Sequence, residues 1–140
     1  MDRDSMLARE AEAWRTFWEA VAAVPEDRRD AEGVVPGWST HDLVWHCVYW
    51  ADFTGSVLER IQAGDPDPEG GDESEADILA QGRDTTWDDV IARAEQGRDR
   101  VRSALSSFDR EIPELAVKWF GEDTFDHYDE HAAQIRAFIG

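Results

Sequence analysis

Hydrophobic residues recur along this chain at steps of three and four, the spacing of one face of an α-helix. The first series predicts a helix over about residues 3–24, because Pro25 and the polar run after it end the pattern. Its apolar positions are Leu7, Trp14, Phe17, Trp18 and Val21. No segment shows the sustained alternation of a half-buried strand, so the pattern predicts an all-α chain.

A second helix is predicted to begin at Ser39. Ser39 and Asp42 have the spacing of a capping box, in which two side chains satisfy free amides at a helix start. The inward positions of this helix are Leu43, His46, Trp50, Phe53, Val57 and Ile61. Gly64 and the Pro- and Gly-rich run after it predict a flexible connection, with a short helical turn around residues 76–80.

The third long helix has Asp84, Thr85 and Thr86 as candidate caps. Its apolar positions are Trp87, Val90, Ile91, Ala94, Val101, Leu105 and Phe108. After Pro113 we expect an irregular segment, and then a last helix capped by Asp123 or Thr124. Four long amphipathic helices predict one four-helix-bundle domain over residues 1–140, with connections long enough for a crossover.

The charge of the chain excludes some partners. Its 14 Lys and Arg residues and 32 Asp and Glu residues give a net charge of −18, which repels nucleic acid and anionic membranes. The single cysteine, Cys47, excludes an internal disulfide framework. No signal peptide and no apolar run of about 20 residues is present, so we expect a cytoplasmic protein without a membrane partner.

Three histidines lie at positions that suit a metal site. His127 and His131 are four residues apart on the last helix and therefore share a face, and His46 lies on the inward face of the second helix. Three neutral imidazoles and an open position suit zinc, and nickel, cobalt or iron accept such ligands too. The alternative is that these are buried histidines with a structural role. We expect His41 to be peripheral and Cys47 to be a core residue.

Other residues around the histidines are weaker candidates. Residues 127–131 match the H-x-x-E-H pattern of some metallopeptidases, but we expect Glu130 to be solvated or hydrogen-bonded to a ligating histidine. Asp42 is a candidate for the same supporting role, and a capping role explains it equally well. Trp38, Trp50 and Tyr128 are candidate pocket walls, with core packing as the alternative.

Two short motifs resemble a known family. The order GWSTHDLVWHCVYW early and DTFDHYDEHAAQI late, on four helices, resembles the DinB/YfiT-like superfamily of metalloenzymes. The similarity is greatest near the metal-binding domain of mycothiol-dependent maleylpyruvate isomerase and the ClbS-like proteins. It spans nearly the whole chain.

The resemblance implies an up-down-down-up bundle with a divalent metal, usually zinc or nickel, on His46, His127 and His131. It also implies a homodimer, and a low-molecular-weight thiol such as mycothiol as a possible second cofactor. The leading hypothesis is a thiol-dependent transferase or isomerase acting on a small electrophile, with the metal-bound thiol or water as nucleophile. The alternatives are a metal-dependent hydrolase for detoxification or self-resistance, and a non-catalytic bundle that binds a small ligand.

Overall fold

The chain is mostly helical in the computed structural model, which describes residues 2–140 and confirms the predicted helical class. The six α-helices are α1 (Arg3–Ala22), α2 (Thr40–Gln62), α3 (Glu75–Arg83), α4 (Trp87–Ser106), α5 (Glu114–Asp123) and α6 (Phe125–Ile139). A 3₁₀ turn (Glu26–Arg28) follows α1, and two short strands, β1 (Glu32–Val35) and β2 (Trp38–Ser39), precede α2.

Side-chain caps define where three of the long helices begin, and at α4 the Asp89 amide donates to Thr86 Oγ1 at 3.2 Å. Asp2 precedes α1, and its carboxylate accepts a hydrogen bond from the Ser5 amide at 2.7 Å. At α2 the predicted capping box is present, because the Asp42 amide donates to Ser39 Oγ and the Ser39 amide donates to the Asp42 carboxylate. This box fixes the first turn of the helix that carries His46.

The expectation of a chain without strands is wrong in one place. β1 and β2 pair antiparallel across a turn at Pro36 and Gly37, and Gly37 has a φ of +81°, which favours glycine. Strands of four and two residues are too short to show the alternation on which a sequence-based prediction depends. The hairpin packs on α6 and on the start of α2.

Two shorter helices also differ from the expectation. The predicted turn at residues 76–80 is a nine-residue helix, α3. The segment after Pro113 is helical rather than irregular, and its buried positions are Ala116, Phe120 and Gly121. Pro113 occupies the N-cap position, where its missing amide costs no helical hydrogen bond.

The helix α2 occupies the centre of the molecule. It packs along α4 and also contacts α3, α5 and α6, while α1 packs mainly along α6. Its buried residues therefore point in several directions rather than along the single predicted stripe, and Trp50 and Phe53 remain partly exposed. Within residues 2–140, no helix combines the length and the apolar character needed to cross a membrane.

The junction between α5 and α6 differs from the expected side-chain cap. Thr124 holds the N-cap position of α6, with φ −118° and ψ −94°, but its hydroxyl donates to the Phe120 carbonyl at 2.6 Å. The Asp123 carboxylate accepts from Thr54 instead of from an α6 amide. Neither residue therefore caps α6 with its side chain.

Candidate metal centre

Three histidine side chains from two helices meet on one side of α2. His46 comes from α2, and His127 and His131 come from successive turns of α6. The Nε2 atoms of His46 and His127 are 2.9 Å apart, and one nitrogen from each of the three rings lies within 4.8 Å of the others. We call these three residues the histidine cluster.

Hydrogen bonds at the outer nitrogens orient two of the rings. His46 Nδ1 lies 2.8 Å from Glu75 Oε1, and His131 Nδ1 lies 2.5 Å from Gln134 Oε1. Both partners are acceptors, so each Nδ1 carries the proton. The lone pair of each ring is then on Nε2, the atom through which a neutral imidazole binds a metal.

Burial favours the neutral form of two histidines of the cluster, His46 and His127. Desolvation lowers the pKa of His127 to about 3, with a further contribution from the neighbouring His131 and His46. Desolvation also lowers the pKa of His46, against an opposing effect of Glu75. Within residues 2–140, His127 Nδ1 is buried without a hydrogen-bond partner. Neutral imidazoles are the form that ligates metal ions.

The donor set fits a divalent metal ion. Two nitrogens that each lie about 2 Å from a zinc ion are roughly 3.4 Å apart in a tetrahedral shell. The observed separations of up to 4.8 Å therefore need only small ring movements to bring three nitrogens onto one ion. Nitrogen ligands of this kind suit zinc and nickel alike. The histidine cluster could hold a metal ion.

Packing between α2 and α3 brings Glu75 to the cluster. The buried Trp45 donates its indole N–H to the Ile78 carbonyl at 2.8 Å. Gly82, one turn further along α3, lies so close to the indole that an added Cβ would be 2.3 Å from Trp45 Cδ1. This contact holds α3 against α2, so that Glu75 at its start reaches His46.

A cavity of about 570 Å³ opens beside His46 and His127. We call it the histidine pocket. Its other lining residues are Trp50, Asp67, Pro68, Glu75, Leu115, Lys118, Trp119, Glu122 and Asp123. A space of this size next to a candidate metal centre is sufficient for a small organic molecule.

The three candidate wall residues have different positions. Trp50 lines the histidine pocket, as expected. Trp38 packs edge-on against the His46 ring, with centroids 5.1 Å apart, and does not line the cavity. Tyr128 is 1% exposed and lies in the core, 5.5 Å from Trp14 and 5.6 Å from Phe17 between ring centroids. Tyr128 therefore follows the core-packing alternative, because its position, about 100° around α6 from His127, faces α1.

The candidate supporting residues also lie elsewhere. Asp42 belongs to the capping box and pairs with Arg83, so it does not contact a histidine of the cluster. Glu130 is exposed, and no hydrogen bond joins its side chain to the cluster within residues 2–140. His41 is peripheral as predicted, with Nε2 donating to the Gly82 carbonyl at 2.9 Å.

Cys47 is a core residue as predicted. Its side chain is 1% exposed, and burial raises the pKa of its thiol well above the usual range. The thiol therefore stays protonated and is not a candidate ligand for the neighbouring cluster.

Two carboxylates at this site, Glu75 and Asp123, were not among the residues predicted from the sequence. Glu75 was part of a connection with no assigned role, and its contact with His46 depends on the packing of α3. Asp123 was considered only as a cap. Its position four residues before His127 was a signal that it could lie near the histidine cluster. Asp123 accepts from Thr54 Oγ1 at 2.7 Å, and burial raises its pKa to about 6.

The chain is similar to known proteins in sequence and in fold. A sequence model of the DinB superfamily matches residues 11–135. A crystal structure of a protein from Streptococcus pneumoniae is similar with a TM-score of 0.75 at 11% sequence identity, over 99% of this chain and 91% of that chain. At this identity the likeness shows a shared fold alone. No curated protein matches the sequence.

Proposed function

Because this chain belongs to the DinB superfamily, we propose that it is a metal-dependent enzyme whose centre is His46, His127 and His131. We further propose that zinc or nickel is the metal and that the enzyme uses a low-molecular-weight thiol such as mycothiol. The enzyme either transfers this thiol to a small electrophile or isomerises the electrophile with its help. The observation that carries the proposal is the convergence of three imidazole nitrogens within 4.8 Å beside a cavity.

The residues around the cluster support this role. The three histidines would hold a divalent ion, which would supply the chemistry of lowering the pKa of a bound thiol or water molecule. Glu75 and Gln134 accept hydrogen bonds from Nδ1 of His46 and His131, which leaves the lone pair of each ring on Nε2, and Glu75 increases the basicity of its histidine. Trp50 and Trp119 provide apolar surface at which an organic reactant can exclude water. Cys47 is too deeply buried to be the thiol.

The proposal includes the arrangement of the long helices. The extensive packing of α2 on α4 and of α1 on α6 supports an up-down-down-up bundle of α1, α2, α4 and α6. A bundle of this kind commonly holds its metal between inward side chains of facing helices, as His46 and the α6 pair are placed here. A homodimer and a cytoplasmic location stay predictions, and the mass of the protein in solution tests the first.

A metal-dependent hydrolase that detoxifies a reactive compound is the second candidate. The observation that favours it is Asp123, a carboxyl group that lines the same cavity and has a pKa near 6. A carboxylate with a pKa close to neutrality can accept a proton from an attacking water molecule.

Metal content tests the common part of both candidates. We expect wild-type protein, soaked in zinc or nickel and desalted, to retain about one equivalent of metal. His46→Ala and His131→Ala are expected to retain far less, and His41→Ala should match the wild type because His41 lies outside the cluster. Wild-type protein that retains no metal would refute the proposal and leave the non-catalytic ligand-binding alternative.

A thiol screen separates the two candidates. The metal-loaded protein is incubated with model electrophiles in the absence and presence of mycothiol, bacillithiol, glutathione or coenzyme A. Consumption of the electrophile only with one thiol supports the transferase or isomerase. Consumption without any thiol supports the hydrolase.

A further inference from the structure

Among the residues that the structure describes, one partly buried carboxylate has no cationic partner. Within residues 2–140, four carboxylates are buried or partly buried: Glu10, Asp42, Asp123 and Asp129. Arginine side chains pair with three of them, Arg98 and Arg102 with Glu10, Arg83 with Asp42, and Arg9 with Asp129. Asp123 alone has only a hydroxyl donor, Thr54 Oγ1.

An unpaired carboxylate in a desolvated position is costly unless something compensates its charge. The Asp123 carboxylate nevertheless borders solvent-accessible space, because it lines the histidine pocket together with His46 and His127. A partner for its charge can therefore arrive through the cavity.

The charged residues that line the histidine pocket favour a positively charged ligand. Its lining contains four carboxylates, on Asp67, Glu75, Glu122 and Asp123, and one ammonium, on Lys118. The net charge of these groups is −3, so a divalent ion on the histidines would still leave −1. Lys118 is exposed and also lines a neighbouring groove, so it lies at the rim.

Aromatic rings accompany these carboxylates. Trp50 and Trp119 both line the cavity, and Phe53 lies between them, with centroids 5.3 Å from Trp50 and 6.2 Å from Trp119. Indole rings attract organic cations through their negative faces, and the attraction is strongest where water is excluded. Carboxylate and indole together are the groups that recognise alkylammonium ligands.

We propose that Asp123 is the specificity-determining residue of the histidine pocket and binds a positively charged group of the reactant, an organic ammonium, beside Trp50 and Trp119. This inference rests on the proposed function in taking the cavity as the place where a reactant binds. It predicts discrimination against reactants and thiols that carry net negative charge, such as glutathione.

Three probes of similar shape and different charge test the proposal. They are choline, its uncharged analogue 3,3-dimethylbutan-1-ol, and the anion 3,3-dimethylbutanoate. A quaternary ammonium has no lone pair, so its nitrogen cannot ligate a metal. Binding is measured by calorimetry and by tryptophan fluorescence, on chelator-treated protein and again on zinc-loaded protein.

We expect choline to bind at least about tenfold more tightly than the uncharged analogue, and the anion to bind most weakly. Asp123→Asn keeps the shape of the side chain and an acceptor for Thr54, and it should abolish the preference for choline. Asp99→Asn removes one charge from an exposed position on α4 outside the pocket, and it should leave the preference intact. Trp119→Leu should weaken choline binding severalfold.

Equal binding of choline and its uncharged analogue would overturn the proposal, as would undetectable choline binding or an Asp123→Asn variant that binds like wild type. Circular dichroism of each variant establishes that it is folded. Because the probes are measured on chelator-treated protein as well as on zinc-loaded protein, a failure here is distinct from a failure of metal retention, which would refute the proposed function.

Discussion

The Trp45 indole lies directly against Gly82, at a distance that leaves no room for a Cβ atom. The contact joins the helix that carries His46 to the helix that carries Glu75. Neither Trp45 nor Gly82 is a candidate ligand or catalytic residue. Their contact therefore determines whether the Glu75 carboxylate reaches the histidine cluster.

Gly82→Ala tests this contact. The added methyl group would be 2.3 Å from Trp45 Cδ1, so the buried indole or α3 must move. We expect a loss of about 1–3 kcal/mol in the free energy of unfolding, measured with guanidinium chloride. Gly70→Ala is the matched control, because no atom lies within 4 Å of its added Cβ, and it should be close to neutral. Equal stability of the two variants would contradict the role of the contact.

Glu75→Gln tests the orientation of His46. The variant removes the negative charge that holds His46 Nδ1–H while keeping the length of the side chain. We expect the dissociation constant for zinc to rise by about 10- to 100-fold, measured by competition with a chelator. Glu95→Gln, on the exposed face of α4, removes the same charge and should bind zinc as wild type does. Unchanged affinity in Glu75→Gln would show that the hydrogen bond does not support metal binding.

Asp123→Asn should make stability depend less on pH. Burial raises the pKa of Asp123 from 3.8 to about 6, so the folded protein favours the protonated carboxyl. The stability that this group contributes is present below pH 4 and is lost as pH rises through about 6. In chelator-treated protein, Asp123→Asn should therefore exceed wild type by about 1–3 kcal/mol at pH 7.5 and by little at pH 4. An advantage of the same size at both pH values would contradict the assignment to Asp123.

Arg98→Met tests the buried ion pair between α1 and α4. Arg98 contacts both oxygens of Glu10, which is fully buried, and Arg102 contacts one of them. With Arg98 removed, Glu10 keeps a single cation, and we expect a loss of about 2–4 kcal/mol in unfolding experiments. Arg15→Met, an exposed arginine of α1 with a 4.0 Å contact to Glu19, should cost less than about 1 kcal/mol. Comparable losses in the two variants would rule out a special role for the buried pair.

Local patterns predicted the parts of the structure that depend on neighbours along the chain. The capping box needs only the spacing of Ser39 and Asp42, and the shared face of His127 and His131 needs only helical geometry. His46 was identified because it interrupts an apolar face. These signals were sufficient to predict the four long helices and the histidine cluster.

Features that depend on tertiary packing were not predicted. Glu75 reaches His46 from 29 positions away, through the contact of α3 with Trp45. For Tyr128 the sequence left a pocket wall and core packing open as alternatives. The position of α1, which brings Trp14 against the Tyr128 ring, decides for the core. The hairpin was missed because its strands are shorter than the window in which alternation is detectable.

The histidine pocket is built from parts that differ in their tolerance of replacement. The cluster lies on the helices α2 and α6, whereas Asp67 and Pro68 come from the connection between α2 and α3. Variation of that connection would change which compounds the cavity admits while the three histidines stay in place. A library confined to residues 65–74 is therefore the most direct route to new substrate preferences on this scaffold.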